Sequence, residues 1–214
     1  MLRRWRDDPG VDPEWSFLPD NREPVMDPAA IQLETERLVL RPPIMEDFEP
    51  WARLALDEEV MRHLGGVQPR AIAWRNFAFT VGSWRLQGFS GFSVIEKNSG
   101  NWVGRVGPLQ PEGWPGTEVG WTLARAFWGK GYAFEAARVA VDWAFERLGW
   151  SEVIHCIGAD NAASIAVATK LGSRKLRSAT MPPPYEGLVI DVWGQSREEW
   201  QAGGRASRVV GSES

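Results

Sequence analysis

The stretch Glu118-Val119-Gly120-Trp121-Thr122-Leu123, followed by Phe127-Trp128-Gly129-Lys130-Gly131-Tyr132-Ala133 and then Glu135-Ala136, decides how this chain is read. Thr117 to Ala124 is a strand by its alternation and β-formers. Ala133, Ala137, Ala140, Val141, Ala144, Phe145 and Leu148 lie on one stripe, which predicts a helix over 133–148 ended by Gly149. Between them sits a short glycine loop. The first amides of a helix have no intrahelical acceptor, and the helix dipole adds positive potential there. A strand, a glycine loop and a helix therefore make a site for a phosphate. Gly129 and Gly131 let the backbone come close to a bulky pyrophosphate, and Lys130 adds a cation. Two known phosphate motifs fail here. A P-loop needs a glycine five residues before Gly129, where Ala124 stands, and Ser or Thr after the lysine, where Gly131 stands. A dinucleotide fingerprint needs Gly or Ala where Phe134 stands. Taken alone, the loop also fits a plain tight strand–helix turn.

Working outward, Val153 to Gly158 is a buried strand, and Ala162 to Leu171 a helix opened by Asn161 and closed by Gly172. Strands at 173–179 and 187–194 flank Pro182-Pro183-Pro184. Upstream, Glu36 to Arg41 is a strand stopped by Pro42-Pro43, 46–57 a helix, and 69–87 a second helix. Gly91 to Lys97 and Trp102 to Leu109 are strands of a hairpin turning at Asn98-Ser99-Gly100-Asn101. The order βααββ then βαβαββ predicts an α/β (α+β) domain with a mixed sheet and helices upon it. Residues 1–32 form an irregular N-terminal arm punctuated by Pro9, Pro13, Pro19, Pro24 and Pro28; 33–200 form the domain; the Gly/Ser-rich 201–214 read as a flexible C-terminal tail.

The 214 residues suffice for one domain with a real core. The 13 tryptophans predict mostly aromatic core packing. A net charge of −4 argues against bulk attraction to nucleic acid or to an anionic membrane surface. No apolar run approaches a membrane span, and Met1-Leu2-Arg3-Arg4-Trp5-Arg6 is not followed by the apolar core of a signal peptide. With Cys156 as the one cysteine, no intrachain disulfide or Cys-based zinc site is expected, and no metal is called for. These features predict a cytoplasmic protein, monomer or homodimer.

The segments 118–123 and 127–136 resemble the acetyl-CoA-binding region of the GNAT superfamily of N-acetyltransferases, and look most like the branch of ribosomal-protein N-terminal acetyltransferases. Further matches lie in order: Glu34-Thr35-Glu36-Arg37-Leu38, Asp142-Trp143-Ala144-Phe145-Glu146-Arg147-Leu148-Gly149, Asn161-Ala162-Ala163-Ser164-Ile165 and Lys170-Leu171-Gly172. The resemblance implies a mostly antiparallel sheet with helices on both faces. It would be splayed between the family's fourth and fifth strands, here 117–124 and 153–158. It further implies acetyl-CoA as co-substrate, its pyrophosphate cradled by Trp128, Gly129, Lys130, Gly131, Tyr132 and Ala133. The pantetheine arm would enter between Leu123 on one side and Cys156 to Gly158 on the other, touched by Asn161.

Amide formation needs a neutral amine, a donor for the developing oxyanion, and a proton for the leaving thiolate. The resemblance makes Glu118 the candidate base. His155, with a suitable pKa, is a second candidate, set against a hydrogen-bonded sheet histidine; His63 is a third. Many GNAT enzymes protonate the thiolate with a tyrosine four residues before the closing glycine. Here that position is Ala168, so Ser164 or water is the alternative donor. Cys156 reads as a buried strand thiol. Trp114 and Trp121 are candidates for a wall of the acceptor site, and the resemblance adds Tyr185 and Glu186. The expected activity is direct acetyl transfer to a primary amine, on a protein N-terminus or a small molecule. The competing expectation is a non-catalytic acyl-CoA-binding module.

Overall fold

Leu38 and Leu40 are fully buried while Val39 and Arg41 are not, the alternation of a strand with one face on a core. The same logic builds an eight-stranded sheet in the computed structural model, which describes residues 30–183, 185 and 187–209, with side chains as far as residue 203. The strands are β1 (Leu33–Glu34), β2 (Leu38–Arg41), β3 (Phe92–Glu96), β4 (Trp102–Leu109), β5 (Glu118–Leu123), β6 (Glu152–Ile157), β7 (Arg174–Thr180) and β8 (Val189–Ser196). Their order is β1-β2-β3-β4-β5-β6-β8-β7. Every neighbouring pair is antiparallel except β5–β6, which is parallel and registers at a single pair, Glu118↔Ile154. The helices are α1 (Phe48–Leu54), α2 (Glu58–Met61), α3 (Arg70–Leu86), α4 (Tyr132–Arg147), α5 (Ala162–Lys170) and α6 (Arg197–Val209).

Both sheet faces carry helices. Ala136, Ala137, Ala140, Val141 and Ala144 of α4 pack on Val103, Val106 and Val119. On the opposite face, Phe48, Trp51, Ala73 and Phe77 of α1 and α3 enclose Trp102. Adjacent residues Trp102 and Val103 thus face opposite ways, as in any strand. The β3–β4 register then shifts: Val94 pairs with Gly104 but Ile95 with Trp102, leaving Val103 as an extra residue. Val106 accordingly joins Val103 in the α4 cluster, and Arg105 falls on the Trp102 side, its Cζ 4.6 Å from the centroid of the Trp51 ring. At the bulge β4 runs close against β5. A Cβ on Gly104 would lie 2.3 Å from Thr122 O and 2.7 Å from Leu123 Cα. Gly104→Ala is therefore expected to lose about 1–3 kcal/mol or more through overpacking, read as a lower urea midpoint at unchanged slope.

The elements fall close to their expected positions, with three differences. The first predicted strand, Glu36 to Arg41, starts only at Leu38 as β2 and is preceded by the short β1, because the Thr35 amide donates to Leu38 O at 3.0 Å and makes 35–38 a hairpin turn. The predicted helix over 46–57 ends at Leu54. Asp57 adopts an extended conformation and caps a separate turn, accepting from the Glu59 and Val60 amides. The expected tail from 201 is preceded and partly replaced by α6. Its start carries a reciprocal capping box, in which the Ser196 amide donates to Glu199 Oε2 (2.8 Å) and the Glu199 amide to Ser196 Oγ (3.2 Å). The Trp200 indole donating to Asp142 (2.7 Å) ties α6 to α4. The N-terminal arm through residue 29, and residues 210–214, lie outside the described residues.

Candidate active site

In a continuing parallel ladder, the bond after Ile154 N→Thr117 O (2.9 Å) would run from the Cys156 amide to Val119 O. Two side chains replace it. The Cys156 amide donates to Glu118 Oε1 at 3.0 Å, and His155 Nδ1 meets Val119 O at 2.7 Å. Each strand's orphaned polar group is thereby satisfied by a side chain of the other strand. β5 and β6 diverge from this point, and a cavity of about 720 Å³ lies along the gap. Its lining includes Gly129, Gly131 and Ala133 of the loop, and Trp51, Arg105 and Tyr185 of the opposite face.

At the loop, a turn of 3-10 helix over Arg125–Phe127 leads into Trp128, whose indole donates to Leu123 O at 2.8 Å. Gly129 and Gly131 take φ values of 73° and 80°, left-handed conformations that a side chain would disfavour. Gly131 is the N-cap of α4, and the first amide of that helix to find an acceptor is Glu135 N, on Gly131 O (3.1 Å). The amides just before it are the unpaired donors that an anion needs. A Cβ on Gly129 would meet nothing within 4 Å, so the space above the loop is open. The Lys130 ammonium stands 4.9 Å from the Phe127 ring centroid.

A brace from the β1–β2 turn holds this loop, and the sequence did not single it out. Arg37 donates to Lys130 O (3.0 Å) and pairs with Glu135, which also accepts from Thr35 Oγ1 and from the Arg37 amide. Burial pushes the Glu135 carboxyl up, but the hydrogen bonds from Thr35 and Arg37 together outweigh it and hold it below the ordinary value. Tyr132 OH donates to Glu96 at 2.6 Å, fixing the first helical residue to β3. The signal was present in the matching segment Thr35-Glu36-Arg37 and in Glu135, about 100 positions apart.

Glu118 is 7% exposed. Its Oε2 accepts from the Trp114 indole and its Oε1 from the Cys156 amide. Burial raises its carboxyl above the ordinary value of 4.5, with those hydrogen bonds pulling the other way. Trp114 meets Tyr185 edge-on, centroids 6.3 Å apart, and a Cβ on Gly65 would touch Tyr185 at 3.7 Å. Glu118, Trp114 and Tyr185 are therefore brought together. Glu186 lies outside the described residues.

The other candidates fall on the α4–α5 side. Asn161 Oδ1 caps α5 by accepting from the Ser164 amide (3.1 Å). Ser164 Oγ accepts from the Trp121 indole (3.3 Å), which leaves its own proton free to donate. Trp121 thus bridges β5 to α5 and lies tilted against His155, ring centroids 4.8 Å apart, rather than joining Trp114 and Tyr185. His155 differs from the expectation of a proton-transfer group. It is 1% exposed, its Nε2 meets Ser173 Oγ at 3.1 Å, and burial pushes its pKa down to about 4. A neutral imidazole with both nitrogens engaged is a strut between β5 and Ser173. Burial likewise pushes the Cys156 thiol up, out of the range of a nucleophilic thiolate. His63 Nδ1 stands 3.3 Å from Asp160 Oδ1 and joins the end of α2 to the turn before α5. Among the described residues no cluster of His, Cys, Asp or Glu is arranged to hold a metal, and no helix is long and apolar enough to cross a membrane.

An open glycine cradle leading into a strand gap with a buried carboxylate is the layout of a transferase for a phosphate-bearing donor. The family model described as an acetyltransferase (GNAT) domain matches residues 37–174, and the chain belongs to that family. It is 31% identical to the uncharacterized protein YkkB of Bacillus subtilis over 72% of this chain and 93% of the relative. It is 33% identical to the FsC-acetyl coenzyme A-N(2)-transacetylase of Aspergillus fumigatus, over 78% of this chain and 77% of that one. A solved acetyltransferase of Agrobacterium tumefaciens superposes with a TM-score of 0.68 at 28% identity, covering 78% of this chain and 95% of that one. Ribosomal-protein acetyltransferases are among the solved structures that share the fold. The chain is an acetyltransferase, and the expectation of a non-catalytic module gives way to that of an enzyme.

Proposed function

We propose that this chain moves the acetyl group of acetyl-CoA directly to a primary amine, on a protein N-terminus or a small molecule, with Glu118 as base. The observation that carries this reading is the single cavity lined by both the glycine loop and the face of Glu118. The amides of Gly129, Lys130, Gly131 and Ala133 receive the pyrophosphate, and Leu123, Asn161 and Ser164 flank the arm in the gap. The amine gives one proton to Glu118, directly or through water. Its lone pair then attacks the thioester carbonyl, the C–S bond breaks as the C–N bond forms, and the thiolate takes a proton from Ser164 Oγ or water, which is made good by the second proton that the new amide nitrogen sheds. Ala168 is fully buried and offers no hydroxyl, so the usual tyrosine route is closed. Burial supports Glu118 in its role, because a carboxylate with a raised pKa is a stronger base than an exposed one. This reading carries with it a cytoplasmic setting and a monomer or homodimer. The test is CoA release with a panel of amines and peptides beside calorimetric titration of acetyl-CoA. Turnover on at least one amine is expected; tight binding without turnover on any acceptor would overturn the reading.

A further inference from the structure

Arg105 is a charged group on the acceptor face that the chemistry above does not use. The β4 bulge turns it toward Trp51, over whose ring its Cζ sits at 4.6 Å, and it lines the cavity together with Tyr185 and Trp114. Among the described residues its guanidinium has no hydrogen bond and no ion pair, and it rests on the face of the Trp51 ring. An arginine stays charged at any pH the protein meets, and a partly buried guanidinium that faces a cavity with no acid beside it among the described residues is placed to take an anion. Burial pushes the guanidinium below its ordinary value, and Tyr185 acts the other way.

Neither acid of the cavity wall supplies the missing anion: Glu59 is paired with Arg62, and Glu118 stands further along the sheet. Arg105 pairs with Thr122 and Leu109 with Glu118, so the two charged residues are set four residues apart along β5, roughly 13 Å of strand. Glu118 is already held by Trp114 and Cys156. Between them stands Gly120, where a Cβ would lie 3.4 Å from Glu118 Oε1, so the Glu118 carboxyl leans over the glycine toward the Arg105 end. The acceptor half of the cavity therefore has an acid pole at Glu118 and a cation pole at Arg105, with aromatic walls from Trp51, Trp114 and Tyr185.

We infer that Arg105 receives the carboxylate of the acceptor, and that the acetylated amine belongs to an amino acid rather than to a simple amine or diamine. This deepens the proposed function and rests on it: the ammonium end lies toward Glu118, where it loses its proton, and the carboxylate end is held by a guanidinium built for bidentate pairing.

The experiment compares standard free amino acids with their C-terminal amides, at saturating acetyl-CoA, for the wild type, Arg105→Gln and Arg105→Lys. For the wild type kcat/KM is expected to favour the acid over its amide by at least about tenfold, mostly through KM, because the amide leaves the guanidinium unpaired. Arg105→Gln is expected to abolish that ratio and Arg105→Lys to restore part of it, with acetyl-CoA affinity unchanged in both. Equal use of acid and amide by the wild type, or a preference that survives Arg105→Gln, overturns the inference. So does transfer to diamines or peptides but to no amino acid. Failure of the underlying reading looks different: no acetyl transfer to any amine. The anion site is then read by titrating the CoA-loaded wild type and Arg105→Gln with the same acids and amides, and indistinguishable binding overturns it.

Discussion

Replacing Glu118 by glutamine is expected to lower kcat at neutral pH by about 100-fold or more, the range for loss of a positioned base. The expected KM for acetyl-CoA is unchanged, because glutamine keeps an oxygen for the Cys156 amide, which the carboxylate holds at 3.0 Å. Only the Trp114 indole loses its acceptor. The wild type should show an acid limb in kcat/KM, rising with pH through the Glu118 pKa, which burial sets above 4.5. The variant should lack that limb and recover part of its rate at high pH, where more free amine is present. A drop that is the same at every pH would argue against the base role. Stability has the opposite pH sense. A carboxyl whose folded pKa is raised above its unfolded value contributes stability that is full below the unfolded pKa and is lost as pH rises through the folded one. Ionised Glu118 therefore opposes folding at neutral pH, and a loss of activity in the glutamine variant cannot be assigned to a lost charge that held the fold. Glu118→Ala separates the second role. It orphans the Cys156 amide at about 1–3 kcal/mol, so it should lower stability and loosen acetyl-CoA binding as well as kcat.

That dual role marks the boundary of what the sequence shows. Local period and punctuation place the strands and helices, because alternation in β2 and the alanine stripe in α4 are short-range consequences of burial. The loop is legible for the same reason: Gly129 and Gly131 are needed where φ is positive. What is not legible depends on pairing. Nothing local says that the Cys156 amide misses Val119 O, so Glu118 and His155 could not be recognised as the side chains that replace one ladder bond. His155 looked like a titrating group because its burial and its two partners are supplied by β5 and Ser173. Simple alternation from Val103 would also put Arg105 on the α4 side; the extra residue in the ladder reverses it. The start of α6 was legible in Ser196-Arg197-Glu198-Glu199, a capping box, but the glycines at 203 and 204 pulled the reading toward a tail.

Gly131→Glu is expected to weaken acetyl-CoA binding at least tenfold, about 1.4 kcal/mol, in a calorimetric titration of the folded variant. Two effects act together. At φ 80° a side chain is strained, and the added carboxylate stands at the N-terminus of α4, where the pyrophosphate needs positive potential. The strain alone is isolated by Gly131→Asn, since asparagine tolerates the left-handed region and brings no charge; it should keep most of the affinity. Arg37 is the one group positioned to blunt the effect, because a Cβ at 131 would lie 3.6 Å from its Nη2. Arg37 is already committed to Glu135, however, and that pair braces the loop. If the new carboxylate drew Arg37 away, the Lys130 carbonyl would lose its donor and the cradle would loosen, which again weakens binding. Both routes predict the same sign, and salt separates them. Repulsion between carboxylate and pyrophosphate is screened, so part of the loss should return at high ionic strength, whereas a loosened brace would not recover. Unchanged affinity in a folded Gly131→Glu protein would remove the loop from the donor site.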